Sequence, residues 1–391
     1  MTTAIHTRLR THDSFHPLLH NTFGFVLSAL SLSRTADDLR HDCDLASLNW
    51  MFTYALADET LVATLLYSRI REKQLEAYCP ADFIAALQVI HAANAERNAQ
   101  HRQILLQTVA ILNQAAITPC LLKGAHALMG LMPDAESRLI RDIDLLVAKE
   151  QAQTAKRALL QAGYYQDNQL AQAAEDDEAH HQLKPLYHPS GRGYVEIHRH
   201  PNFALLYPNL MDAVFNPDQL NLAERDGVRF YYNHPWQLLL YNQIHHFHSD
   251  LDATARPDLR QLAEQSALLH RLAGDTELAS RFAAVLGKQA TQAHLQFTLL
   301  AELFGDSPPA ALMPPLPGQA AAHLQDIVGK MLGDPASLKR RRWVAFASLF
   351  SFAAKQLVNP TFLKHNLTKA EWYRNLIPKV LSAVVGGRKK V

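Results

Sequence analysis

Cysteine is scarce in this chain. Cys43, Cys79 and Cys120 are the only three in 391 residues, and no two of them stand at a metal-binding spacing. An odd set of scattered thiols excludes a disulfide framework and fits a reducing compartment. Long apolar runs are also missing. The most apolar early stretch, FGFVLSALSL at 23–32, is too short to span a membrane. It follows histidine and aspartate instead of a basic leader, so it does not read as a signal peptide. The expectation is a soluble, cytoplasmic protein without stable membrane insertion. Charge of one sign is absent as well: the formal net charge is +1, which leaves no electrostatic footprint for nonspecific nucleic-acid binding. There is no HExxH motif and no internal repeat.

What is present suffices for substantial cores, with 48% hydrophobic and 19% charged residues. Residues 14–115 carry apolar side chains at three- and four-residue spacing, and ADFIAALQVIHAANAERNAQHRQILLQTVAILNQAA reads as one long amphipathic helix, or two. Nothing in that region suggests chemistry. The period changes at ITPCLLKG (117–124), a short strand ending in Gly124, where Pro119 suits the start of an edge strand. A short helix, AHALMGLM, follows directly, then a strand in RLIRDIDLLVAK and a helix with Gly163 as its cap. LKPLYH and GYVEIHRH flank PSGR and read as a hairpin. Helices return near 234, opening with Pro235, and again at RPDLRQLAEQSALLHRLAG with a Gly274 stop. A proline-rich connection, SPPAALMPPLPG at 307–318, precedes further helices and the basic end GGRKKV.

The layout divides into a helical region over 1–115, a mixed-sheet core over 116–232, a helical region packing on it over 233–306, and a linker with terminal helices over 307–391. The fold class is α+β, a small mixed sheet embedded between helical regions.

The candidate chemistry begins in LIRDIDLLVAKE. Side chains alternate on a strand, so Asp142 and Asp144 share one face while Ile143, Leu145 and Val147 share the other. Two adjacent carboxylates repel, and a cation offsets that cost. In GYVEIHRH, Tyr194, Glu196 and His198 lie on one face. If the two strands pair, three carboxylates converge, which suits magnesium together with substrate phosphates. Two such ions can clamp the attacking and leaving oxygens of an in-line displacement. In LLKGAHAL, a strand enters a glycine and then a helix, which presents backbone amides to an anion; Gly124 permits close approach and Lys123 can neutralise a phosphate.

This order of residues resembles the polymerase-beta-type nucleotidyltransferase superfamily. It resembles more closely a bacterial family of uncharacterised nucleotidyltransferases, through Leu122-Lys123-Gly124, Arg138, Asp142-Ile143-Asp144-Leu145-Leu146-Val147, and Glu196 with His198, over roughly residues 40–275. The resemblance implies transfer of a nucleoside monophosphate from an NTP to an unidentified acceptor (small molecule, peptide or RNA), with two magnesium ions and release of pyrophosphate. It implies that Asp142, Asp144 and Glu196 are the catalytic metal ligands, with Glu196 also a base. Lys123, Gly124 and Arg138 would face the phosphates; Arg138 as a structural ion-pair partner of the acidic strand is an equal reading. Ala125 stands where the superfamily often has serine, and Arg260 with Glu264 stands where the family's later helix commonly has arginine and aspartate.

Two other readings compete. His245 with His248, and His198 with His200, raise a histidine-rich transition-metal hydrolase. In a milder form, His198 and His245 face the nucleotide, with His180 and His181 within reach of the same pocket. The other alternative is an inactive nucleotide-binding, regulatory or toxin–antitoxin protein on the same fold, for which loss of a carboxylate would be the sign. A protein partner on the helical regions is compatible with either. The basic terminal helix around Trp372, Ile377 and Val380 could rest on an anionic surface or dock on the body.

Overall fold

The computed structural model describes residues 17–132, 134–166, 181–201, 208–245, 259–286, 297, 300–301 and 303–305. The proline-rich connection, the terminal helices, His180 and His248 lie outside these residues. Five helices come first: α1 (Pro17–Leu30), α2 (Ala36–Asp42), α3 (Trp50–Glu59), α4 (Ala63–Glu72) and α5 (Ala81–Gln114). The long periodic stretch is therefore one unbroken 34-residue helix. Then follow β1 (Cys120–Leu121), α6 (Gly124–Leu128), β2 (Ile143–Leu146), α7 (Ala152–Gln161), β3 (Leu186–Tyr187), β4 (Tyr194–His198), α8 (Pro208–Phe215), β5 (Asn221–Arg225), β6 (Val228–Tyr232), α9 (Pro235–His245), α10 (Leu259–Ala273) and α11 (Thr276–Leu286).

The six strands form one mixed sheet in the order β3-β4-β2-β1-β6-β5. The fold class is α+β as expected, with the helices flanking the sheet. The hairpin flanking PSGR is present as the antiparallel β3–β4 pair. β4 lies beside β2 in parallel, with Asp144 opposite Glu196 and Leu146 opposite His198. Alternation then does what the sequence implied. Ile143, Leu145, Val195 and Ile197 are fully buried on the back face, which α5 and α7 cover. α5 comes so close there that a Cβ on Gly193 would meet Ile104 at 3.0 Å. Helices and sheet share one apolar cluster that runs from Phe23 to Phe304.

One expectation needs correction, and one element was not anticipated. β1 is not an edge strand: it lies between β2 and β6. Pro119 is tolerated because it precedes the strand and gives up no ladder donor, while its carbonyl accepts the Tyr231 amide at 2.8 Å. The sequence reading also passed over the β5–β6 hairpin, whose turn at Asp226-Gly227 has φ of 52° and 75°. Asp-Gly between alternating runs is the usual marker of a turn with two left-handed residues.

Candidate active site

β2 and β4 bring two carboxylates together by register alone. Asp144 is fully buried, and its Oδ1 accepts hydrogen bonds from His198 Nε2 at 2.7 Å and Lys123 Nζ at 3.1 Å. Its Oδ2, equally buried, has no hydrogen-bond partner. Burial alone would push the Asp144 carboxyl up, but the His198 bond and the Lys123 charge outweigh it and hold the group below the ordinary range. Glu196 is pushed the other way, to about 7, by burial and then by the charges of Asp144 and Asp142. Asp142, just ahead of β2, is also raised, by burial and by Asp144, against the pull of Lys123. Three acids thus repel one another at the front face of the sheet.

One atom each of Asp144, Glu196 and His198 lies within 4.8 Å of the others, a grouping able to hold a metal ion. Among the described residues this is the only such group of histidine, cysteine, aspartate and glutamate. The donor set fits a hard cation. It offers carboxylate oxygens, an orphaned buried oxygen on Asp144, and a neighbour in Glu196 whose charge is opposed by two like charges. Asp142 does not join the tightest group but adds its charge to it.

Lys123 holds the turn between β1 and α6. Its φ of 43° and ψ of −116° lie where non-glycine residues are rare. This strained backbone aims Nζ back at Asp144. Burial would pull the Lys123 ammonium down, yet Asp144 outweighs it and raises it. Gly124 lets α6 approach the segment before β2: a Cβ there would meet Ile140 Cγ2 at 3.0 Å. The amides of Ala125 and His126 are already bonded to the Leu122 and Lys123 carbonyls, at 2.9 and 3.3 Å. The helix of α6 therefore keeps fewer donors for an anion than a strand-glycine-helix pattern suggests.

Arg138 ion-pairs with Glu264 of α10 at 3.1 Å. The pair joins the segment before β2 to α10, and the Arg138 charge also pulls the Asp142 carboxyl down. Arg260 donates to the Leu139 carbonyl at 3.2 Å. The later helix, whose role the sequence left open, thus holds the segment that leads into Asp142. The His181 ring lies tilted beside that of His198, with centroids 5.4 Å apart. His245, half-buried, sits 6.3 Å from the Tyr241 ring. His200 turns to the Pro201 carbonyl at 3.3 Å. A site built mainly of histidines is not assembled among the described residues.

Asn94 and Asn98 of α5 were missed. Asn94 donates to the carbonyls of Glu136 and Arg138, both at 3.1 Å, and Asn98 to that of Arg138 at 2.9 Å. The available signal was a pair of amides four apart on the apolar stripe of a long helix.

The site thus combines a strained Lys-Gly turn after β1 with acids set against each other on β2 and β4 of a mixed sheet. The family model for the Uncharacterised nucleotidyltransferase family matches residues 46–305, and the chain belongs to that family. Its general function is accordingly nucleotidyl transfer. Comparison with curated proteins and with solved structures returned no match. Among the described residues no helix is long and apolar enough to cross a membrane.

Proposed function

We propose that the protein is a magnesium-dependent nucleotidyltransferase that moves a nucleoside monophosphate from an NTP to an acceptor hydroxyl or phosphate. The observation that carries this is the unpartnered, buried Oδ2 of Asp144, set in register against Glu196 and beside Asp142. Such a carboxylate set is costly until a cation completes it. Asp142, Asp144 and Glu196 would hold the ions, whose contribution is to neutralise charge on the phosphates and lower the pKa of a bound oxygen.

This chain's own residues do the rest. His198 donates from Nε2 to Asp144 Oδ1 and fixes the orientation of that carboxylate. Lys123, paired with Asp144, supplies a cation for the phosphates at the Gly124 end of the site. Glu196, raised towards neutrality, is suited to take the acceptor proton. In the reaction the acceptor oxygen bonds to the α-phosphorus. The bond from that phosphorus to the bridging oxygen breaks, and pyrophosphate leaves with the electron pair.

The test is label transfer. The full chain is incubated with each α-labelled NTP, magnesium and cell extract as acceptor source, beside Asp142→Ala/Asp144→Ala. Label appearing on a macromolecule or metabolite, and falling at least about 100-fold in the double variant, is expected. No transfer with any NTP, together with no magnesium-dependent nucleotide binding, would overturn the proposal.

A further inference from the structure

A cavity of about 750 Å³ opens on the same sheet face as the carboxylates. The register fixes that placement. His198 pairs with Leu146, Leu146 with Cys120, and Cys120 with Tyr231, and the last three line the cavity. The size falls within the range of roughly 300–1,000 Å³ typical of small-molecule sites. Its walls are apolar and aromatic, with Phe215 beside Tyr231. Its charge is mainly positive: Arg199 and Lys149 line it against a single acid, the exposed Asp212, while burial favours the neutral form of His200.

Arg199 makes this a built site. It is only 8% exposed, and its Nε is buried without a hydrogen-bond partner. No carboxylate pairs with it among the described residues. A guanidinium does not give up its proton, so a buried one without a counter-ion is costly unless an anion arrives. The Arg199 backbone is pinned by the hydrogen bond its N–H donates to the His181 carbonyl at 2.9 Å, which fixes where the fork starts. Guanidinium forks match phosphate and carboxylate oxygens in pairs.

We infer that this cavity is the acceptor subsite and that Arg199 anchors an oxyanion carried by the acceptor. The inference rests on the nucleotidyltransferase reading, which puts the triphosphate at Lys123 and Gly124. Along β1 the cavity begins at Cys120, opposite Leu146, and the Lys123–Gly124 turn lies past the other end of the strand, with the Asp144 level, at Leu122, between them. An acceptor held at the Cys120 end approaches from the side opposite the leaving pyrophosphate, as in-line displacement requires.

The full chain is titrated calorimetrically with inorganic phosphate and with acetate, each with magnesium–nucleotide already bound, for wild type, Arg199→Gln and Lys149→Ala. Oxyanion binding at least tenfold weaker in Arg199→Gln, with nucleotide affinity within about twofold of wild type, is expected. Preference for phosphate identifies a phosphate-bearing acceptor, and preference for acetate a carboxylate-bearing one. Equal oxyanion binding in wild type and Arg199→Gln overturns the inference, as does a parallel tenfold loss of nucleotide affinity in a folded variant. Should Arg199→Gln not fold, Lys149→Ala at the exposed rim gives the reading instead, with about threefold weaker oxyanion binding expected and none overturning it. If wild type binds no nucleotide, the transferase reading fails separately, and the oxyanion titration is then read without nucleotide.

Discussion

Two polar regions lie side by side in this protein and are finished in opposite ways. In the segment before β2, four consecutive carbonyls take side-chain donors: Glu136 from Asn94, Ser137 from Thr64, Arg138 from Asn94 and Asn98, and Leu139 from Arg260. Ser68 and Ser137 join their hydroxyls at 2.6 Å, and Arg69 meets Asp134 at 2.5 Å. Beside it, on β2 and β4, Asp144 Oδ2 and His198 Nδ1 are buried with no hydrogen-bond partner, and three acids crowd one face. Partnered backbone of this kind holds position even though Asn98 Oδ1 and Arg69 Nε, on the side chains around it, are themselves buried without a hydrogen bond; what distinguishes the acids is that the bare atom is a carboxylate oxygen among like charges, which a cation would complete. The helices that seemed to carry no chemistry thus serve it by fixing the approach of Asp142.

If that contrast is right, the two regions respond to substitution with opposite signs. The largest effect is expected at the Arg138–Glu264 pair, whose side chains are 12% and 11% exposed. Arg138→Met strands a buried carboxylate and should lower unfolding free energy by about 3–5 kcal/mol, and Arg138→Met/Glu264→Leu should recover most of it. Urea midpoints of the single and double variants read the coupling; strictly additive losses would dissolve the idea of a locked approach. A smaller effect is expected at Asn98→Ala, which takes one donor from the Arg138 carbonyl and should cost about 1–3 kcal/mol. Glu196→Gln should do the reverse in the metal-free protein. It relieves like charges facing across strands and should raise stability by about 0.2–1 kcal/mol while label transfer is lost. A stability loss at Glu196→Gln would mean that the acids are held by bonds and not merely tolerated.

Much of the site was legible because strand alternation is a strong local rule. Asp142, Asp144, Glu196 and His198 could be assigned to faces from their own neighbours. The pairing of β2 with β4 could not, since about fifty residues separate Asp144 from Glu196 and nothing in either strand specifies its register. Pro119 misled for a related reason: a proline next to a strand speaks of one missing donor, not of the strand's place in the sheet. Lys123 was legible as a cation beside Gly124, yet its bond to Asp144 depends on a strained backbone that no residue type announces. Arg260 and Glu264 were noticed only as departures from a pattern. Their targets, Leu139 and Arg138, lie more than a hundred residues earlier, so only the folded chain shows that they clamp it.

A last effect, read as a slope in pH and not as a single loss, tests the seam between the two regions. His126, on α6, is fully buried, and its Nε2 accepts the Asn233 amide at 3.3 Å. That bond requires a neutral ring, and burial, aided by the nearby Arg138 charge, pulls the group down to about 3. In the unfolded chain histidine titrates near 6.5. The unfolded state therefore binds a proton that the folded state refuses, and stability falls as pH drops. The contribution is fully present above about pH 6.5 and is lost between there and about 3, at no more than about 1.4 kcal/mol per pH unit. His126→Asn keeps an acceptor on the Asn233 amide and removes the titration. Its stability should be lower than wild type at pH 7.5, with a shallower decline between pH 6.5 and 4.5 by chemical denaturation. An unchanged slope would place the acid sensitivity elsewhere and detach α6 from the seam.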